Sequence, residues 1–172
     1  MSETEYAIGR TCGVTFAGIK PASLVSVRKR GKATFARIRR SFSRKGVSFE
    51  IMRECGDRML VCVYHAKRLE QLLLSREIRA FLAERGYAYA TAGEAVALLK
   101  ERMAGGVFLG YPLCDVRGFI ADPRGGRPCG CWKTYGDGGD AVKTAERWRR
   151  CSECICRMMD SGKSLAQSFG VG

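Results

Sequence analysis

The sharpest change of hydrophobic period along the chain falls between residues 47 and 64. Val47, Phe49 and Ile51 alternate with Ser48, Glu50 and Met52, and Gly56-Asp57 separates them from the unbroken apolar run Met59-Leu-Val-Cys-Val-Tyr64. Alternation, a turn pair and a second apolar run predict a β-hairpin. The second strand, apolar on both faces, is expected in the middle of its sheet, and the first is expected to face water on one side. Before it, Ala33 to Arg44 sets Phe35, Ile38 and Phe42 on one helical face and Arg37, Arg40 and Arg44 elsewhere, with Gly46 as the C-cap. Two earlier apolar stretches, Gly13 to Lys20 and Ser23 to Val27, are broken by Pro21 and read as short strands or loops.

Beyond residue 65 the period becomes helical. Leu69, Leu72 and Leu73 form one stripe, and Ile78, Phe81 and Leu82 form another that ends at Gly86. Thr91 with Glu94 has the spacing of a capping box, backed by Ala95, Val96, Leu99 and Met103. Gly105-Gly106 interrupts the pattern, and Pro112 suits the first turn of a short helix through Ile120. Residues 122–130, rich in Gly and Pro, read as a loop. Asp140 then caps a long helix carrying Ala141, Ala145, Trp148, Ile155 and Met159, which stops at Gly162. These elements predict an α+β fold, in which a small antiparallel sheet in the N-terminal part packs against a mostly helical C-terminal part. The 172 residues suit a single domain, with 1–65 forming the sheet and one basic helix and 66–172 mainly helical.

Composition narrows the class. An apolar fraction of 46% against 27% charged residues excludes a disordered chain. Glu3 and Glu5 stand where a secretory leader would be basic and then apolar. The run Met59 to Tyr64 is far short of the roughly 20 residues that span a bilayer. A soluble cytoplasmic protein is expected, without membrane contact, and in that compartment nine cysteines should remain thiols. The net charge of +13 is uneven, because Lys20 to Lys45 holds ten Lys and Arg and no Asp or Glu. Such a stretch attracts nucleic acid, an anionic surface or an acidic protein.

Several stretches carry a likeness to a known family: Cys12 with Ala17-Gly18-Ile19-Lys20 and Leu24, Val63-Tyr64, Gly86-Tyr87, and Phe108-Leu109-Gly110-Tyr111-Pro112-Leu113 with Asp115-Val116 and Gly118-Phe119-Ile120. Cys129-Gly130, Trp132-Lys133, Tyr135-Gly136-Asp137 and Cys151 complete the set. In order and spacing the chain resembles the bacterial domain-of-unknown-function family 3793, nearly end to end. It departs where the family carries a Pro-His-Glu-Ile-Gly type segment before Phe-Leu-Gly-Tyr-Pro, for here Met-Ala-Gly-Gly-Val stands instead. The resemblance implies a bacterial source and no particular activity. It also implies, as a neighbour of flavodoxins, a flavodoxin-type redox protein as the acidic partner ahead of RNA.

Three features carry chemistry. Cys129-x-Cys131 and Cys151-x-x-Cys154 approach the paired spacing of a tetrahedral zinc site, so Cys129, Cys131, Cys151 and Cys154 are candidate ligands for zinc, or for an iron–sulfur cluster. The alternative is small buried hydrophobes on a helix over a loop. Arg37, Arg40 and Arg44 are candidates to bind an acidic partner, or are a solvated helix face. Tyr111, Asp115, Trp132 and Lys133, with Lys20, are expected to wall a pocket for a small anionic or planar ligand, with the Lys133 ammonium near Asp115. In the alternative, Tyr111 and Trp132 are core residues with satisfied polar tips. His65 is the only histidine, so no Ser-His or Cys-His pair can be argued, and Gly162-Lys163-Ser164 lacks the earlier glycine of a phosphate loop, Arg157 standing there. The function expected is a non-catalytic binding or accessory module engaging an acidic partner, with an enzyme or small-ligand sensor, or a zinc-binding structural domain, as the alternatives.

Overall fold

The computed structural model describes residues 1–102 and 105–171. Its centre is an antiparallel sheet of β1 (Ala22–Arg28), β2 (Val47–Cys55) and β3 (Arg58–His65) in the order β1-β3-β2. The strand with the unbroken apolar run is thus the central one. Val61 pairs with Val25 on one side and Ile51 on the other, and a bulge between Ile51 and Arg53 shifts the register of β2. Helix α2 (Lys32–Ser43) connects β1 to β2 and buries Phe35, Ile38 and Phe42, as its period requires.

The first segment differs from expectation. Residues Glu3–Phe16 form helix α1, capped by Ser2, whose hydroxyl accepts the Glu5 N–H at 3.2 Å. Glycines and β-branched residues lower its intrinsic helicity, but a tertiary contact supplies what propensity lacks. A Cβ on Gly9 would lie 2.4 Å from Met159 Sδ, and one on Gly13 would lie 2.6 Å from Ile155 Cδ1. These glycines, one turn apart, let α8 (Gly139–Asp160) approach the backbone of α1.

Helices α3 (Ala66–Leu73), α4 (Arg76–Ala83), α5 (Ala92–Arg102), α6 (Gly105–Phe108) and α7 (Leu113–Ala121) follow β3. The capping box before α5 forms, with Glu94 N–H on Thr91 Oγ1 at 3.2 Å and Thr91 N–H on Glu94 Oε2 at 3.4 Å. Met103, expected on its apolar face, lies outside the described residues. Gly105-Gly106 lie in the short helix α6. The expected loop contains strand β4 (Arg127–Cys129), paired with β5 (Trp132–Thr134). Helix α9 (Leu165–Ser168) closes the described chain with a capping box of its own.

The two faces of the sheet explain the two-sided apolarity of β3. One core joins Ile8 and Phe16 of α1, Phe42 of α2, Val61 and Val63 of β3, Met159 of α8 and Leu165 of α9. The other joins Cys62 of β3 to Leu69, Phe81, Val96 and Phe108 of the helices that follow. Glu5, 3% exposed, ties the first layer together: Oε1 accepts the Leu165 N–H at 2.9 Å and Oε2 accepts Arg37 Nη2 at 2.8 Å. No helix among the described residues is long and apolar enough to cross a membrane.

Candidate functional site

Three chain segments converge beside the N-terminal end of β1. Gly110, at φ +78°, ends α6 in a left-handed turn and sits so close to Pro21 that a Cβ would meet its Cδ at 2.7 Å. That contact sets Tyr111 beside Lys20. From the other side come Trp132 of β5 and Trp148 of α8. Tyr111 and Trp132 stack at 5.0 Å with 20° between planes, and Trp148 lies 5.3 Å from Trp132. The Lys20 Nζ rests 4.6 Å from the Trp148 ring centre and 5.4 Å from that of Tyr111. These groups line a cleft of 860 Å³ between α1, the β4–β5 hairpin and α8, with Arg10 and Arg149 at its edges.

Charge in this cleft is unbalanced. Arg149 is held by Glu153 at 2.6 Å, and Glu146 by Arg150. Lys20 has no hydrogen-bond acceptor or ion pair among the described residues, and its ammonium relies on the ring faces alone. Burial lowers its pKa from the usual lysine range, opposed by the nearby Cys131 and Cys12 sulfurs. Buried Trp148 Nε1 is likewise without a partner.

Asp115 fastens the hairpin that carries Trp132. Its carboxylate, in the first turn of α7 and 2% exposed, accepts Trp132 Nε1 at 2.9 Å, Thr134 Oγ1 at 3.1 Å and the Tyr135 N–H at 2.8 Å. Desolvation pulls its pKa upward, but hydrogen bonds from Tyr135, Trp132, Thr134 and Gly136 outweigh it and hold the carboxyl below the ordinary aspartate range. So many donors to one carboxylate make Asp115 a structural anchor rather than a free base. The expected Lys133–Asp115 approach does not form: Lys133 Nζ donates to the Pro123 carbonyl at 2.9 Å and the Arg124 carbonyl at 3.3 Å, because β5 alternation turns it away from Trp132 and Thr134. The Trp132 ring also faces a second concavity of 640 Å³, bordered by exposed Phe119 and Ile120, so the Tyr111–Trp132 stack is a wall between two hollows.

Lys20, Tyr111 and Trp132 meet as expected in the first cleft, and Tyr111, Asp115, Trp132 and Lys133 together border the second hollow. Trp148 was read only as core. The signal for it was the pair Ala141 and Ala145 on the same helical stripe, whose small side chains leave room for a hairpin tip above the indole. A Cβ on Gly130, at that tip, would touch Ala145 Cβ at 3.0 Å.

The tetrathiolate zinc set does not assemble. No three His, Cys, Asp or Glu side chains among the described residues converge on a point able to hold a metal ion. Cys129 is buried at the end of β4, Cys131 is exposed with its sulfur 3.7 Å from the Tyr111 hydroxyl, Cys151 packs against the first core, and Cys154 faces solvent. Burial raises the Cys129 and Cys151 thiol pKa values, the opposite of what thiolate ligation needs. Of the three helix arginines, Arg37 is spent on Glu5, while Arg40 and Arg44 are exposed. His65 closes β3 with its ring against Gly18.

Residues 8–168 match the family model described as "Protein of unknown function (DUF3793)". No curated protein and no solved structure matches the chain.

Proposed function

The chain belongs to the DUF3793 family, and we propose that it serves as a small-ligand-binding module whose ligand carries an anionic group and a planar apolar part. One observation carries this reading: the Lys20 ammonium, half-buried over two aromatic rings, has no acidic or hydrogen-bonding partner among the described residues. A partly buried charge without a partner gives up part of its hydration, and a cation–π contact returns only about 0.5–2 kcal/mol. An anion entering the cleft turns that cost into attraction. The Trp132 and Tyr111 faces offer stacking area for the planar part. Binding, rather than acid–base chemistry, suits a cleft whose lining carboxylate, Glu146, is paired with Arg150.

The test is a panel of probes, 1-naphthoate, adenosine monophosphate, inorganic phosphate and neutral 1-naphthalenemethanol, read by thermal unfolding and tryptophan quenching. A planar anion should raise the unfolding temperature and quench emission, whereas phosphate alone and the neutral alcohol should not. Lys20→Met should abolish both responses while unfolding at or above the wild-type temperature, since it removes an unpaired, partly buried charge. Affinity should also fall as pH rises through the depressed Lys20 pKa, because only the ammonium form attracts the anion. A probe that binds the Lys20→Met protein as tightly as wild type, or a panel in which no planar anion binds, refutes the proposal.

A further inference from the structure

We propose that a second surface, the cationic groove between α2 and the β2–β3 sheet, docks an acidic protein segment bearing an apolar anchor. Elsewhere in the basic stretch the cations are neutralised within the fold: Arg28 and Arg30 by Glu3, Lys29 by Glu54 and Arg37 by Glu5. Lys45 donates to the Phe169 carbonyl at 2.7 Å. Lys32, Arg39, Arg40 and Arg44 remain exposed, and none of them makes an ion pair among the described residues. They therefore concentrate the uncompensated charge on one flank of α2.

Helix physics accounts for only part of the arrangement. Arg40 and Arg44 stand in the last turn and at the C-cap, where the macrodipole favours cations, but Lys32 occupies the first helical position, where it favours an acid. Lys32, Arg39 and Arg40 rim a concavity of 450 Å³ whose floor is apolar, including Ala36, Met59 and Ile51. Ile51 is 40% exposed, although its alternation partners Val47 and Phe49 are buried. An aliphatic floor inside a cationic rim is complementary to an acidic segment with one large apolar side chain. It suits a nucleic acid less well, because base stacking needs an open aromatic face, and Phe35 is only 7% exposed here. The groove is lined by none of the cleft residues around Lys20, so the two surfaces can be tested separately.

Fluorescence anisotropy at low ionic strength measures binding of a labelled Glu/Asp-rich peptide with a central Leu, the same peptide with Ala for Leu, and a short single-stranded RNA. The Leu peptide should bind best, weakening by about tenfold with Ala and steeply with added salt. Replacing Arg39, Arg40 and Arg44 together by Gln should weaken it by about tenfold or more, and Ile51→Ser should weaken it independently. Neither change should lower the unfolding temperature by more than a degree or two, and Lys20→Met should leave peptide binding untouched. The inference is overturned by absence of peptide binding, by RNA binding more tightly than the Leu peptide at equal salt, or by affinity indifferent to Ile51→Ser, which would mark a plain polyanion surface.

Discussion

Replacing Asp115 by Ala should loosen the hairpin that carries Trp132. The change strands three donors, Trp132 Nε1, Thr134 Oγ1 and the Tyr135 N–H, now held at 2.9, 3.1 and 2.8 Å. A buried donor left unpaired costs about 1–3 kcal/mol. Thr134 is buried, whereas Trp132 and Tyr135 are partly exposed and can recover water, so the net loss should be about 2–4 kcal/mol. Asp115→Asn keeps one acceptor oxygen and should lose less. Urea unfolding followed by circular dichroism gives the magnitude, and tryptophan emission reports the hairpin directly. The pH dependence has a fixed sign. The folded pKa of Asp115 lies below that of the unfolded chain, about 3.9. Its contribution is therefore complete above that pH and is lost as pH falls through the lower folded value. Asp115→Asn should flatten this part of the acid response. A loss below about 1 kcal/mol for Asp115→Ala, with unshifted emission, would show that the carboxylate does not fasten the hairpin.

Further outcomes follow from the packing. Glu5→Ala leaves the buried Leu165 N–H without an acceptor and frees Arg37 to solvent, and should cost about 1–3 kcal/mol in denaturant unfolding; wild-type stability would remove the layer-tying role of Glu5. Gly13→Ala forces a Cβ against Ile155 and should destabilise by about 1–3 kcal/mol despite better helix propensity, with Ile155→Val restoring part of the loss in a double-mutant cycle. Native thiol titration should modify Cys55, Cys131 and Cys154 first, and leave Cys12, pushed up by burial, and Cys62, pushed up to about 12, unreactive until unfolding. Protein purified without chelator should hold less than about a tenth of an equivalent of zinc, and a full equivalent that chelator removes with loss of stability would reverse the cysteine assignment.

The parts of this fold legible in the sequence are those where local pattern and burial coincide. The alternation at Val47 to Ile51, the apolar run of β3 and the capping box at Thr91 each have a single structural outcome. Helix α1 was not legible because its two glycines and the β-branched Val14 and Thr15 speak against a helix, while their reason for being there sits on α8, more than 140 positions away. The β4–β5 hairpin was hidden by its length: three-residue strands containing Pro128 carry too few positions to show alternation. At the site, motif proximity pointed to Tyr111, Asp115, Trp132 and Lys133, which together border the 640 Å³ hollow, but the expected approach of the Lys133 ammonium to Asp115 fails, since neighbouring residues on a strand face opposite ways. Trp148 looked like any apolar helix residue until its neighbours in space were known. The cysteine spacing matched a zinc pattern that the helix and hairpin hold apart.

The covering of both sheet faces also imposes an order in time. Hairpin β2–β3 closes over two residues, but the layer containing α1 is complete only when Ile155, Met159 and Leu165 arrive, and the Glu5–Leu165 hydrogen bond spans 160 positions. Closing such long loops is slow relative to local pairing. On a ribosome making roughly 5–20 residues per second, the first core would wait for the order of 5–20 s after β3 emerges. During that interval Val61, Val63 and Phe42 lack their final cover, so this apolar face is open to solvent in the nascent chain and not in the finished protein.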